Sequence, residues 1–149
     1  MQIFIGGIGC FWDETEYQGV PGIISTECGY CGGKDPRVTY EQVCGGNTEH
    51  IEVVKVTFDP KIISYEDITR LFFEIHDPTT LNRQGPNVGY QYRSEIFYIT
   101  EEERVSAQKI LDEVNKKLNG KVVTVIRKEK NYCKAEEYHQ KYFEKQSKK

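Results

Sequence analysis

A mixed β-sheet with packed helices, an α/β (α+β) two-layer sandwich of ferredoxin-like type, is the fold class this sequence predicts. Three observations point to it. Strand-like and helix-like segments interleave in the order β-α-β-β-α-β-α-β-α, which calls for helices packed on a mixed sheet. The 149 residues suit one domain over 1–149. A chain of this size buries roughly 68–70% of its unfolded surface, so no disulfide or metal is needed to hold a core. Apolar residues recur throughout, with ten Tyr and seven Phe, which leaves little room for disorder away from the ends.

The elements follow in order. Gln2 to Ile5 is a short apolar run stopped by glycines, hence a strand. Phe11 to Gln18 reads as a short helix ending at Gly19, with Pro21-Gly22 as its stop. Ile23 to Gly29 predicts a strand and Gly29 to Lys34 a glycine-rich loop. Tyr40 to Cys44 suits one helical turn before Gly45-Gly46. Ile51 to Phe58 alternates in the strand period, and Asp59-Pro60 closes it. Ser64 and Asp67 open a helix whose apolar stripe is Ile68, Leu71, Phe72 and Ile75. Asp77 to Gly89 has no periodicity, and loops of that length in compact domains are often functional. Ser94 to Ile99 is a strand; Thr100 caps a helix opening Glu101-Glu102-Glu103 and ending near Asn119-Gly120. Val122 to Ile126 is a strand and Ala135 to Lys145 a last helix.

Composition narrows the function classes. A net charge of −3, from 20 basic and 23 acidic residues, argues against a general nucleic-acid binder. The N-terminus has no basic region, and Gly6, Gly7 and Gly9 break its apolar run, so neither a signal peptide nor a membrane span is expected. A cytoplasmic monomer without cofactor follows as the expectation. In the cytoplasm Cys10, Cys28, Cys31, Cys44 and Cys133 should be mostly reduced, which favours reactivity or metal binding over a disulfide framework.

Gly9-Cys10-Phe11-Trp12 stands where the first strand gives way to the first helix. A thiol there meets unpaired backbone N–H groups and the positive end of a helix, and both favour the reactive thiolate. Phe11 and Trp12 beside it can wall an apolar pocket for a small methyl-bearing group. On residue type alone, a buried cysteine with two core aromatics is an equally good reading.

The segment resembles the active-site motif of the peptide methionine sulfoxide reductases of type A. Further stretches match that family in order: Gly29-Tyr30-Cys31-Gly32-Gly33, Thr39 to Cys44, Glu49 to Val54, His76-Asp77-Pro78, Asn82 to Gly85, Gly89 to Ser94, and Ala135 to Gln140. The match covers nearly the whole chain. Cys-Phe-Trp and Gln-Tyr-Arg-Ser together are specific, and either alone is weak.

The resemblance implies reduction of methionine-S-sulfoxide, in proteins or peptides and possibly free. Cys10 attacks the sulfoxide sulfur, oxygen leaves as water, and a sulfenic acid remains for thioredoxin or another dithiol to clear. Sulfoxide oxygen leaves poorly unless protonated, so an acid is needed beside it. Glu52 stands at the family position for that acid, on a strand where burial would raise a carboxyl toward neutrality. As a residue alone it reads as an outward-facing polar position. Tyr40 and Tyr92 match the tyrosines whose hydroxyls hold the sulfoxide oxygen, although most of ten tyrosines must be packing residues. Phe11, Trp12 and Asn87 are the implied substrate contacts. His50 and His139 read as structural hydrogen-bonding residues.

The chain departs from the family pattern at three places. Asp13 replaces the glycine usual after the tryptophan, and acids near Cys10 would oppose its thiolate. Asn87 replaces an aspartate, which puts substrate binding or rate in doubt more than reaction type. The glycine-rich, cysteine-bearing tail of many members is absent. With no such tail, the candidates for an internal thiol that resolves the sulfenic acid are Cys28, Cys31, Cys44 and Cys133: Cys31, whose flanking glycines give it freedom to move, ranks first and Cys133 second, and a stable sulfenic acid would mean that none serves. Two alternatives remain. One is a C-x-x-C redox or metal module built on Cys28 and Cys31; it lacks the second pair a zinc site usually has, and no metal is expected. The other is a relative that binds sulfoxide-bearing peptides without turnover, or with altered specificity.

Overall fold

Alternating apolar side chains make Gln2–Gly7 (β1), Ile23–Cys31 (β2) and Ile51–Phe58 (β3) the centre of the sheet. The computed structural model describes residues 2–7, 16–34, 37, 42, 50–76, 78–80 and 93–134, with the backbone alone at 83–84 and 87–88. Ser64 caps Tyr65–Glu74 (α1), its side chain accepting from the Asp67 N–H. Arg83–Gln84 (β4) and Asn87–Val88 (β5) pair as a small hairpin. Glu95–Tyr98 (β6) leads into Glu101–Lys117 (α2), where Thr100 and Glu103 form a reciprocal capping box. Val125–Lys128 (β7) and Cys133–Lys134 (β8) complete the elements among the described residues.

The main sheet has six strands in the order β7-β6-β1-β3-β2-β8. Every neighbour is antiparallel except β6 and β7, which run parallel, so the sheet is mixed as the sequence implied. Strands β1 and β2 are both antiparallel to β3, so they share a direction and end at the same edge of the sheet.

Strand alternation sorts side chains to two faces. On one face Phe4, Cys28, Tyr30, Val54, Val56, Phe58 and Ile96 pack against Tyr65, Ile68 and Phe72 of α1 and Ala107 and Ile110 of α2. On the other, Ile5, Cys31, Ile51, Val53 and Phe97 form a smaller cluster, with Ile3 and Tyr132 against it. The second face is covered by the segment leading into β8. There the Lys130 carbonyl accepts from the Gly32 N–H, Asn131 Nδ2 donates to the Gly33 carbonyl, and Tyr132 donates to Glu27. Strand β3 is therefore buried on both sides at its start, where alternation alone suggested one wet face.

That covering segment rests on a glycine. A Cβ at Gly29 would lie 2.6 Å from the Cys133 carbonyl oxygen and 2.7 Å from the Tyr132 ring. Gly29→Ala is expected to cost about 1–3 kcal/mol through overpacking. Chemical denaturation reads the cost, and faster amide exchange at residues 129–134 locates it. Wild-type stability with unchanged exchange would mean that the segment does not sit tightly on β2.

Several boundaries differ from those the sequence predicted, and β1 runs on through Gly6 and Gly7. Strand β2 continues through Cys31 into the predicted loop, β7 begins later than Val122, and β8 and the β4–β5 hairpin fall where no strand was expected. Of the predicted helix at 11–18 only 16–18 are described, with Glu16 and Tyr17 helical; the helix at 135–145 lies outside the described residues.

Candidate active site

One edge of the sheet gathers the end of β1, the end of β2, and the starts of β3 and β6. Gly7 stands opposite Val53 on one side and Glu95 on the other, and Tyr30 stands opposite Glu52. Strand β1 thus delivers the chain to this edge three positions before Cys10. Cys10, Phe11, Trp12, Tyr40, Cys44 and Tyr92 lie outside the described residues, and of Asn87 only the backbone is described, opposite Gln84.

Glu52 is the described member of the predicted set at this edge. The strand period puts it on the helix-bearing face with Val54 and Val56, and its cross-strand neighbour Tyr30 is fully buried. Only 2% of Glu52 is exposed. Removal from water disfavours the carboxylate and pushes its pKa up to about 8. At neutral pH this side chain holds its proton and can donate it. His50, one residue before β3, is buried, and its Nδ1 accepts from the Gly33 N–H at 3.4 Å.

The two cysteines of the C-x-x-C stand on opposite sides of the sheet. Three residues apart on an extended strand, they point to opposite faces. Cys28 belongs to the core under the helices, Cys31 to the cluster on the other face. A shared metal or a mutual disulfide would require β2 to break. The Cys31 thiol, fully buried, donates to the Lys130 carbonyl at 3.5 Å, and burial pushes its pKa up to about 12. Cys133, half-buried, lies on β8 opposite Tyr30.

Sequence reading missed two polar clusters at this edge. Glu95, 2% exposed, accepts from Arg127 Nε at 2.7 Å and lies 3.8 Å from Arg93, while the Arg127 guanidinium covers the Phe97 ring. Gly32, at φ +91°, leaves space that this guanidinium fills. On the helix face, Ser94 Oγ lies 2.7 Å from both His76 Nε2 and Thr124 Oγ1. The Phe72 carbonyl can only accept, so His76 Nδ1 carries a proton and Nε2 accepts from Ser94 in the neutral ring. The signal available in sequence was a charged residue inside each short apolar strand, Glu95 and Arg127.

Comparison with known proteins shows the family. A family model described as peptide methionine sulfoxide reductase matches residues 1–149. The chain belongs to that family. Peptide methionine sulfoxide reductase MsrA of Pelagibacter ubique is 58% identical over 146 residues, 97% of this chain and 99% of that protein. Among solved structures, Mxr1 from Saccharomyces cerevisiae in reduced form superposes with a TM-score of 0.92 at 37% identity, over 99% of this chain and 87% of that one. The same yeast protein in complex with Trx2 superposes at 0.66 and 26% identity, over 95% of this chain and 84% of that one. No helix among the described residues is long and apolar enough to cross a membrane.

Proposed function

We propose that this chain is a cytoplasmic peptide-methionine (S)-S-oxide reductase, working as a monomeric single domain without cofactor or metal. Cys10 attacks the sulfoxide sulfur. Tyr40 and Tyr92 hold the oxygen, Phe11 and Trp12 wall the methyl group, and Glu52 supplies the proton that lets the oxygen leave as water. Water then adds to the Cys10 sulfur of the resulting S–S-bonded sulfonium, the S–S bond breaks to release methionine, and Cys10 carries a sulfenic acid. A second thiol, Cys31 or Cys133, traps that acid, and thioredoxin or a similar dithiol restores both.

The observation that carries this reading is the buried, protonated carboxyl of Glu52 at the edge where β1 ends. A solvated glutamate would be ionised at neutral pH and could not act as the acid. Membership of the family supports the reaction, and the yeast relative's structure with Trx2 supports a dithiol partner. The test is turnover of a peptide carrying methionine-S-sulfoxide, with dithiothreitol and then thioredoxin as reductant. Methionine formed from the S and not the R epimer is expected. Binding without turnover would instead favour a non-catalytic relative.

Asn87 stands where the family has an acid, and an amide there still offers a donor and an acceptor without charge. Asn87→Asp is expected to leave the reaction intact and to lower KM or barely change it. A collapse of kcat in this variant would mean that the amide belongs to this protein's own substrate site.

A further inference from the structure

We propose that Tyr30 is a positioning residue for the acid of this reaction: its ring fills the space beside Glu52 on the helix-bearing face and shuts out water that would otherwise reach the carboxyl from the β8 side. The proposal rests on the reading above, in which Glu52 is the proton donor, and names the residue that keeps it one.

The register carries the argument. Tyr30 on β2 stands directly opposite Glu52 on β3. Residues paired in this way point to the same face, with Cβ atoms about 4.5–5.5 Å apart. That face is the helix-bearing one, because Tyr30 packs with Cys28, Val54 and Val56 in the core under the helices. Tyr30 is fully buried, and Glu52 beside it is 2% exposed.

Tyr30 also stands between the acid and the β8 side of the sheet. Cys133, half-buried, is opposite Tyr30 on its other flank and belongs to the same row. Burial is thus partial at Cys133 and complete at Tyr30, one strand short of Glu52. Strand β8 is two residues long, and it pairs with β2 at Gly29 and Tyr30. Its close seat on Gly29 leaves Tyr30 held by a strand on either flank.

The groups around Glu52 leave exclusion of water as the means that holds its proton. On its own face the titratable neighbours along the row are Tyr30 and Cys133, with Cys28 on the diagonal of β2. His50, two positions earlier in the chain, accepts at Nδ1 from the Gly33 N–H, so its ring is neutral. Strand β1 brings Phe4 and Gly6 to this face, and neither carries a charge. From the helix layer, His76 at the end of α1 reaches Ser94. Gly7 stands opposite both Val53 and Glu95, which puts Ser94 two strand spacings, roughly 10 Å, from Glu52. The ions Glu27, Lys55 and Lys134 gather on the opposite face. Consistent with this, burial is the cause that pushes the Glu52 carboxyl up to about 8.

The test is a carbon NMR titration of the Glu52 carboxyl beside the pH dependence of peptide sulfoxide turnover, in wild type, Tyr30→Phe and Tyr30→Val. Tyr30→Phe keeps the ring, so the ionisation midpoint and the alkaline decline in rate should stay at their wild-type positions. Tyr30→Val admits water, so both should move down by about one pH unit or more. Above both midpoints the rate should then fall about tenfold for each unit moved, and below both it should return toward wild type. A merely structural loss would lower the rate at every pH. Tyr30→Leu, which keeps more of the core volume, gives the same comparison if Tyr30→Val does not fold. A Glu52 midpoint that stays at its wild-type value in the folded ringless variant, or that falls equally in Tyr30→Phe, overturns this inference and leaves the function standing. A wild-type rate with no decline where Glu52 ionises overturns the acid reading, and the positioning role with it.

Discussion

Replacing the Cys10 thiol by a hydroxyl is expected to abolish sulfoxide reduction. The reaction needs a group that bonds to sulfur, accepts the oxygen, and passes it on in a form another thiol can reduce. A thiolate does this; serine at neutral pH is a poor nucleophile and has no sulfenic acid chemistry. Among the described cysteines none is a ready substitute. Cys28 and Cys31 are fully buried, and Cys31 is held as a thiol. Cys133 is a strand edge away, and the proposed cycle uses it only after oxygen transfer. Methionine formation by Cys10→Ser should therefore fall to background with either reductant, and its mass should not change after one equivalent of sulfoxide. Turnover within tenfold of wild type would remove Cys10 from the mechanism.

The sequence made some elements plain and hid others for physical reasons. Strand β3 was readable to the residue, because its alternation is regular and Asp59-Pro60 cannot extend it. The N-caps Ser64 and Thr100 were readable because side-chain capping is local chemistry. Glycines misled at the ends of β1 and β2. Gly6 and Gly7 looked like a stop, yet they continue β1, where a Cβ would meet Phe72 at 2.7 Å and Ile51 at 2.3 Å. They mark close packing. The two-residue ladders β4, β5 and β8 have no period to detect, and β7 is fixed by its register with β6 while its own Val125 stays exposed.

The same limit applies to the candidate site. Cys10 could be singled out as a thiol after a glycine-rich strand end, but the choice of Glu52, Tyr40 and Tyr92 came from the family match. Alternation assigned Glu52 to a polar face, and burial of that face depends on helices far away in sequence. Cys31, read as part of a glycine-rich loop, is the last residue of β2, and Cys133 lies on a two-residue strand with no period to detect.

Glu52→Gln should lower the rate by about 10²-fold or more while making the protein more stable above neutral pH. Both effects come from one cause. Glutamine keeps the shape of the side chain and offers an amide N–H, but it cannot transfer a proton to the departing oxygen. The wild-type rate should decline as pH rises through about 8, where the buried carboxyl ionises; the variant should show no such decline. For stability the sign follows from the direction of the shift. The folded chain holds this proton up to about 8, whereas an ordinary carboxyl loses it near 4.5. Below the lower value both states are protonated and Glu52 neither stabilises nor destabilises by ionisation. Between the two values the unfolded chain gains ionisation that the folded chain lacks, so folding weakens as pH rises, and the full penalty is present above about 8. At about 1.4 kcal/mol for each pH decade between them, the penalty reaches several kcal/mol. Glu52→Gln removes it, so denaturation midpoints of variant and wild type should coincide near pH 4, separate steadily up to about pH 8 and stay apart above it, the variant higher. Parallel curves across that range would mean that Glu52 ionises freely in the folded chain, and the proposed acid would have to be sought elsewhere.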